Sequence, residues 1–272
     1  MQQDPPDIIY HYTTLDALLD IIKSKSLWTS EIMCLNDSKE FILALSIAQK
    51  LINEKGVFPN VDSIFPFLKN AYRPYIFVCS FSVNGDLLSQ WRGYGNTSSS
   101  ISIGFNSSIL RKNAEEQTYE LLKCIYEPNV QQDLIYNIID SSLAENEETQ
   151  FESPYVKSLT YDKEVNRIIK LINILVAYSP IIKDKGFTEE AEWRLISCGN
   201  KERKISFRNG PSFLIPYSYF DLGELGEIIK EVIIGPTPYP DISEQSLAKL
   251  LKMNKLDSFV KVQKSEIPYR SR

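Results

Sequence analysis

The sequence has a single histidine and few glycines, and it lacks the cysteine spacing of structural zinc sites. Among its 272 residues are 1 His, 11 Gly and 4 Cys. No two cysteines form a Cys-x-x-Cys pair, which excludes the usual structural zinc patterns. We therefore expect free thiols, most of them buried. The low glycine content also argues against a glycine-rich phosphate-binding loop.

The chain also lacks an excess of positive charge and a long apolar run. Its 30 Lys and Arg against 35 Asp and Glu give a net charge of -5. No global basic field exists to drive non-specific nucleic-acid binding, although a local patch is not excluded. The longest apolar stretch, at 168–176, contains Lys170 and Asn173 and is too short to span a bilayer. Residues 1–6 do not resemble a signal peptide, so we expect a cytoplasmic protein without a membrane partner.

The composition is that of a globular protein, with 43% hydrophobic and 24% charged residues. Short apolar runs and amphipathic stretches alternate without a regular βαβ rhythm, which favours an α+β fold. We predict one domain over 1–272, with a helical insertion at about 128–182. Strands are predicted at 8–12, 75–80, 101–105, 121–126, 192–198, 204–208, 212–216, 231–235 and 259–262, and helices after Thr13 or Thr14 and at 38–55, 61–71, 130–143, 156–178 and 242–253.

His11 is the first candidate functional residue. It lies at the end of an apolar strand and just before a predicted helix, a position from which a rigid element can present a side chain to a ligand. The structural alternative is a partly buried histidine that hydrogen-bonds to a backbone carbonyl. A serine hydrolase triad would have to use this histidine, and no Gly-x-Ser-x-Gly turn accompanies it.

The segment 89–95, Ser-Gln-Trp-Arg-Gly-Tyr-Gly, concentrates aromatic and basic side chains between two predicted strands. Arg92 offers a planar charged fork that fits a diphosphate or carboxylate. Trp91 and Tyr94 offer faces for a flat ring. The structural alternative is an aromatic anchor that pins a turn, with Arg92 in a surface ion pair.

Two glutamates precede a late apolar strand. In extended geometry Glu190 and Glu192 would project to the same face, and two adjacent carboxylates raise each other's pKa. A carboxylate in this position could stabilise a developing sugar cation or activate a nucleophile. The structural alternative is a solvated strand end that is paired with Lys183, Lys185 or Arg194.

A fourth segment, Asn36-Asp37-Ser38-Lys39-Glu40, begins a predicted helix. Asp37 or Ser38 as the helix cap explains most of it. Magnesium bound by Asp37 and Glu40 is conceivable, but this spacing is weak support for a metal site. The role of Asn36, Asp37 and Glu40 is left open.

These segments resemble ADP-ribosyltransferases of the His-Tyr-Glu kind, particularly the DNA-targeting bacterial toxins and the RNA 2′-phosphotransferases. Tyr10-His11-Tyr12-Thr13 followed by a capped helix is similar to their first strand and helix. Glu190-Ala191-Glu192 is similar to their Glu-x-Glu signature. The resemblance implies a split mixed β-sheet with flanking helices.

The same segments also look like a bacterial family of proteins of unknown function. The hallmarks that carry this second resemblance are His11-Tyr12-Thr13, Asn36-Asp37 with Glu40, Cys79-Ser80-Phe81-Ser82, Ser89-Gln90-Trp91-Arg92 and Glu190-Ala191-Glu192-Trp193-Arg194.

The first resemblance implies an enzyme that binds NAD as its substrate and needs no metal. It assigns Glu192 and Glu190 as catalytic, Glu192 to assist departure of nicotinamide and Glu190 to orient the acceptor. The residues expected to bind NAD are His11, Tyr12, Thr13, Gln90, Trp91, Arg92 and Tyr94, with Tyr94 before Tyr12 as the middle tyrosine of the His-Tyr-Glu set. Trp91 and Arg92 have no firm counterpart in the better-known transferases and are assigned from their chemistry alone.

The resemblance further implies transfer of ADP-ribose to a nucleic acid or a protein, in a bacterial toxin or phage-defence effector with an antitoxin or other defence partner. Two other readings of the sequence stay open. One is a non-catalytic module that binds or senses a nucleotide. The other is a metal-dependent nuclease that uses Asp37, Glu40 and Glu192.

Overall fold

A large mixed β-sheet with helices packed on it forms the centre of the fold, which confirms the α+β prediction. The computed structural model of the chain describes residues 4–34, 39–57, 75–94, 100–144, 163–197, 203–210 and 212–268. The strands are β1 (Ile8–Thr14), β2 (Ser26–Glu31), β3 (Phe77–Ser82), β4 (Ser100–Asn106), β5 (Tyr119–Lys123), β6 (Glu192–Ser197), β7 (Ile205–Asn209), β8 (Leu214–Asp221), β9 (Ile229–Ile234) and β10 (Lys261–Lys264). The helices are α1 (Leu15–Ser24), α2 (Lys39–Lys55), α3 (Leu88–Tyr94), α4 (Ser107–Glu116), α5 (Pro128–Ala144), α6 (Lys163–Tyr178), α7 (Leu225–Ile228) and α8 (Pro240–Met253), with short 3-10 helices at Ile32–Cys34, Ser179–Ile181 and Lys185–Glu190.

The sheet runs in the order β10-β9-β4-β1-β3-β2-β8-β7, and β6 pairs with β3 and β5 with β6. The β9–β10 pair is parallel and the other pairs are antiparallel. The predicted mixed sheet is therefore present.

The sheet opens between β1 and β3. These strands pair through a single position, Tyr10 with Ser82, whereas β1 pairs with β4 along its whole length. At its other end β3 pairs with β2, through Phe77 and Val78, and its opposite edge is taken by β6. One edge of β3 thus pairs with β1 at one end and with β2 at the other, and the predicted split of the sheet lies at this edge.

One face of the sheet carries the main hydrophobic core. Residues of alternate positions along the strands, such as Ile9, Phe81 and Ile103, are buried there together with apolar residues of α1, α4, α7 and α8. Thr14 starts α1, because its Oγ1 accepts a hydrogen bond from the Ala17 N–H at 3.3 Å. Because successive side chains of a strand point to opposite sides of the sheet, the residues between these core positions lie on the opposite face, which we call the second face.

A second compact unit consists of Ile32–Ile76 and Ile125–Phe187, whereas the whole sheet belongs to the first unit, Met1–Glu31, Phe77–Cys124 and Thr188–Arg272. In the second unit α2, α5 and α6 bury a core of their own that includes Ala48, Ile139 and Leu171. This unit takes in Ile32–Ile76 as well as the whole of the predicted insertion. The single-domain description stays a prediction.

Most predicted elements are found, with ends shifted by a few residues. The strand expected at 75–80 is β3, and the strand expected at 212–216 is the beginning of the longer β8. Besides the 3-10 helices, four elements were missed: β2, α4, the short α7, and α3, which the sequence suggested as a turn. The capping residue of α4 was a usable signal, since the Asn106 side chain accepts from the Ile109 N–H at 3.0 Å. The helix predicted at 61–71 lies outside the described residues.

The described cysteines are free thiols and most of them are buried, as the sequence analysis predicted. Cys79 and Cys124 are buried free thiols, and Cys34 is a half-buried one. Cys198 lies outside the described residues. In the part of the chain that the structure describes, no helix has the length and apolarity needed to cross a membrane.

Asp86 connects the segment before α3 to the end of β10. Its carboxylate accepts hydrogen bonds from Trp91 Nε1 at 2.7 Å, Ser265 Oγ at 2.6 Å and the Glu266 N–H at 2.8 Å. Ile267 then packs against Trp91 in a small cluster on the second face of the sheet. One half-buried carboxylate therefore holds α3 and the C-terminal segment together.

We expect Asp86→Ala to lower the free energy of unfolding by about 2–3 kcal/mol, because three donors lose a charged acceptor and the buried indole N–H is left unpaired. Urea unfolding monitored by circular dichroism measures this. Asp241→Ala is the control, since Asp241 pairs with Lys264 at the surface at 3.2 Å, and exposed pairs contribute about 0–1 kcal/mol. Equal losses in the two variants would contradict the role given to Asp86.

Candidate functional site

A small pocket lies where β1 and β3 separate. It brings together residues from both strands, from α3 and from the junction that precedes β6. The lining residues are Tyr10, His11, Tyr12, Ser80, Phe81, Ser82, Gln90, Glu190 and Glu192. Five of them, His11, Tyr12, Gln90, Glu190 and Glu192, were candidates from the sequence. Segments that are far apart in the sequence therefore meet at the split of the sheet.

His11 bridges the two diverging strands. Its Nδ1 lies 2.9 Å from the Ser80 carbonyl oxygen and 3.6 Å from Cys79 Sγ. Because a carbonyl oxygen only accepts, Nδ1 carries the proton, and in the neutral ring Nε2 is an acceptor. Burial lowers the pKa of His11, which the hydrogen bond to Ser80 opposes. This bond to a backbone carbonyl is the structural role that the sequence left as an alternative. With the proton on Nδ1, Nε2 is the ring atom that can accept a hydrogen bond from a hydroxyl group.

Glu192 forms a buried ion pair with Arg194. The distances are 2.7 Å from Arg194 Nε to Glu192 Oε1 and 3.2 Å from Nη2 to Oε2. Both residues are 3% exposed. Their side chains lie on the second face of the sheet, across from Ser82 and Ser80 respectively. Of the three cations that the sequence offered as partners, Arg194 is the one that binds Glu192 in this way, and Glu192 is not part of a solvated strand end.

Glu190 and Glu192 do not lie on one extended strand, so the prediction of their shared strand face is wrong. Glu190 ends the 3-10 helix Lys185–Glu190, and Ala191 has a left-handed backbone with φ of 43°. Ser82 Oγ donates to the Glu190 carbonyl at 2.7 Å, and the Val83 N–H donates to the Ala191 carbonyl at 3.2 Å. The turn still directs both glutamates to the same pocket, by a route that residue spacing does not reveal.

Helix α3 presents its residues in different directions. Gln90 is buried and lines the pocket, and Trp91 is buried with its Nε1 bound to Asp86. Arg92 is exposed and is not among the lining residues. Trp91 thus has the contacts of the aromatic anchor that the sequence left as an alternative. Tyr94 ends the helix, and its side chain lies outside the described residues.

Tyr12 supports the same region. Its hydroxyl donates to the Asn84 carbonyl at 2.8 Å and accepts from the Leu87 N–H at 2.9 Å, and its ring meets Trp91 edge-on at 4.7 Å between centroids. Burial is the main cause that raises the pKa of Tyr12. Tyr12, which lines the pocket, is therefore hydrogen-bonded to the segment that leads into α3. Thr13 is half-buried and is not among the lining residues.

Sequence reasoning missed four lining residues: Tyr10, Ser80, Phe81 and Ser82. Tyr10 donates from its hydroxyl to Glu231 Oε1 at 2.5 Å, and the other oxygen of Glu231 accepts from Gln263 Nε2. Burial and this bond raise the pKa of Tyr10. The hallmark Cys79-Ser80-Phe81-Ser82 contains three of the four and was already a signal for them.

The pocket is acidic and small. Among the lining residues that the structure describes there are two carboxylates and no lysine or arginine. Its volume of about 40 Å³ holds a few water molecules, since one water needs roughly 10–15 Å³ measured in this way. A larger group enters only if side chains at the rim, such as Glu190 or Gln90, move. The lining suits a neutral hydroxylated or cationic group better than an anion.

The magnesium site suggested for Asp37 and Glu40 is not tested by the described residues. Asn36 and Asp37 lie outside the described residues, as does the side chain of Glu40. Within the described ranges, no group of three or more His, Cys, Asp and Glu side chains could hold a metal ion.

The lowered pKa of His11 predicts a stability that depends on pH. Above pH ~6.5 the ring is neutral in both states; below it, the unfolded chain takes up a proton that the folded chain resists, so stability falls by up to ~1.4 kcal/mol per pH unit. Urea unfolding between pH 7.5 and 5.5 measures this slope. His11→Asn should flatten it, since the amide N–H can replace Nδ1–H and does not titrate. The chain has no other histidine, so an unchanged slope in the variant would contradict this origin.

The left-handed backbone at Ala191 predicts a stabilising substitution. Such a conformation costs an L-residue about 1–2 kcal/mol, and glycine adopts it freely. We expect Ala191→Gly to raise the free energy of unfolding by up to ~1 kcal/mol, since its greater entropy in the unfolded chain offsets part of the gain. Ala114→Gly, in the interior of α4, is the control and should destabilise. A loss of stability in both variants would argue against strain at Ala191.

Comparisons with known proteins agree with the motifs over part of the chain. No curated protein matches the sequence at a significant level. Among solved structures, the chain is similar to "Thermus sp. 2.9 DarT in complex with ADP-ribosylated ssDNA", with 12% identity, a TM-score of 0.37 and 98% of each chain covered. A TM-score in this range does not support an argument about function. Residues 90–195, which include the hallmarks around Trp91 and Glu192, match the family described as "Protein of unknown function (DUF2971)", as the second resemblance predicted.

Proposed function

We propose that this chain is an ADP-ribosyltransferase that cleaves NAD in the pocket between β1 and β3 and passes the ADP-ribosyl group to a macromolecule. The observation that carries the proposal is the meeting of His11, from the first strand, with Glu190 and Glu192, from the turn into β6, in one pocket. Those are the residues that the resemblance to the His-Tyr-Glu transferases assigned.

The charge of the pocket determines which part of NAD enters it. Two carboxylates and a neutral histidine receive the cationic pyridinium ring and its ribose, whereas the diphosphate stays outside. His11 Nε2 accepts a hydrogen bond from a ribose hydroxyl. Arg92, exposed on the same helix that carries Gln90 into the pocket, binds the diphosphate. Thr13 and Tyr94 are proposed to contact NAD, and Trp91 contributes by fixing α3.

Glu192 stabilises the ribosyl cation as the bond between C1′ and the pyridinium nitrogen breaks. The electron pair of that bond goes to nicotinamide, which leaves as a neutral molecule. The acceptor then attacks C1′ and loses its proton, and Glu190 orients the acceptor. Because positive charge on the ribose grows in the transition state, a fixed carboxylate binds that state more tightly than it binds NAD itself.

The acceptor is a nucleic acid or a protein, and the biological role is that of a bacterial toxin or phage-defence effector that an antitoxin or defence partner controls. The net charge of -5 favours contact with a short stretch of nucleic acid over a long one.

A non-catalytic nucleotide-binding module is the second candidate function. The observation that favours it is the ion pair of Glu192, since each of its oxygens already accepts a hydrogen bond from Arg194. In such a module the carboxylate is a structural partner of the arginine, and the pocket binds a nucleotide without breaking it.

Release of nicotinamide from NAD distinguishes the two candidates. We expect the wild-type protein to release nicotinamide in the presence of cell lysate, and Glu192→Gln to reduce the rate by about 10²–10³-fold, the usual effect of removing one group that stabilises transition-state charge. Chromatography of the product measures the rate. Glu189→Gln, an exposed neighbour, is the matched control and should keep the wild-type rate.

The fate of the label identifies the acceptor. With NAD labelled on the adenine, the product is digested with nuclease or with protease, and the treatment that releases the label names the acceptor class. Binding of NAD without release of nicotinamide would replace the transferase by the binding module. A protein that neither binds NAD nor releases nicotinamide would reject both candidates.

A further inference from the structure

Arg194 is a buried charged residue that the proposed reaction does not yet use. Its guanidinium meets the carboxylate of Glu192 through Nε and Nη2, and both side chains are almost fully buried. Arg194 and Glu192 stand two positions apart on β6, on the face of the sheet that carries the pocket. Glu192 lines the pocket and Arg194 is not among its lining residues, so the arginine contacts the carboxylate from behind.

Stability alone does not require this ion pair. The loss of hydration of two buried charges offsets most of their attraction, and apolar residues of similar volume are often equally stable at such positions. A planar guanidinium does what apolar side chains do not, because its two parallel N–H donors fix both the place and the plane of a carboxylate.

We propose that Arg194 is the positioning residue of Glu192, holding the carboxylate ionised and in one orientation towards the pocket. An ionised carboxylate has about four acceptor sites, and Arg194 binds one on each oxygen. The inference rests on the proposed function, because it assumes that Glu192 acts on the bound nucleotide.

The pocket residues beside Glu192, and Cys79 on β3, do not replace this role. Tyr10 and His11 face the pocket from β1, and Glu190 faces it from the turn. Cys79 lies on β3, and burial together with the charge of Glu192 raises its pKa to about 12. These groups are neutral or acidic near pH 7, so removal of the guanidinium would leave Glu192 beside a second carboxylate in a buried site. Burial and the negative charge of the neighbouring carboxylate would then both favour the protonated form of Glu192.

The first test is the pH profile of nicotinamide release for Arg194→Lys and Arg194→Met. We expect the acidic limb of kcat to move to higher pH by at least one unit in Arg194→Met and by less in Arg194→Lys, which keeps the charge but not the fork. The kcat value should fall at least 10-fold in Arg194→Met, with a much smaller change in KM. An unchanged limb with reduced kcat would assign Arg194 a structural role and overturn the proposal.

The second test does not need turnover. NMR of protein labelled with ¹³C at the glutamate carboxyls follows the titration of Glu192, whose signal is assigned from its loss in Glu192→Gln. Its midpoint should rise by at least one pH unit in Arg194→Met and by less in Arg194→Lys. Arg111→Met, which removes a surface ion pair with Asp4, is the control and should leave the midpoint unchanged.

The two tests separate the inference from the proposed function. A shifted Glu192 titration in a protein that does not release nicotinamide would support the positioning of the carboxylate by Arg194 and reject the transferase. An unshifted titration would overturn the inference, whatever the rate of nicotinamide release. If Arg194→Met does not fold, Arg194→Lys answers the same question, because a lysine that leaves both midpoint and pH profile at wild-type values would remove the need for the guanidinium fork.

Discussion

The candidate site depends on the loss of strand pairing between β1 and β3. After Tyr10 and Ser82 the two strands diverge, and the β3 backbone that would have continued the ladder loses its strand partner on the β1 side, while β6 pairs with its other edge. A buried carbonyl in that position needs a donor. The His11 side chain supplies it to Ser80. The histidine therefore stabilises the gap in the sheet, and the same bond holds its ring in one orientation.

Much of the fold could be predicted because strand and helix periodicity and capping are local. Thr14 at the start of α1 and the apolar runs of β3 and β4 were readable in this way. The split sheet was implied by the family resemblance. Helix α4 was missed because its few buried positions, such as Leu110, lie among polar residues. Helix α3 was missed because its aromatic and glycine content reads as a turn, whereas packing of Trp91 decides its conformation.

Five of the nine described lining residues of the pocket were predicted from the sequence, and its geometry was not. His11 and Glu192 were identified from residue type and position. Their roles depend on partners that spacing cannot assign, since Ser80 and Arg194 are common residues in ordinary strands. The same limit applies to Glu190, whose direction depends on a left-handed Ala191. An L-residue gives no sign of that conformation in the sequence, and the surrounding hydrogen bonds impose it.

The contacts of Tyr10 and Asp86 determine when the pocket can form during synthesis of the protein. Tyr10 is held by Glu231, which binds Gln263, and Asp86 is held by residues 265 and 266. The N-terminal strand and α3 leave the ribosome long before these partners exist. These contacts of the pocket are therefore completed only after residues 231–266 have been made, long after β1 and α3.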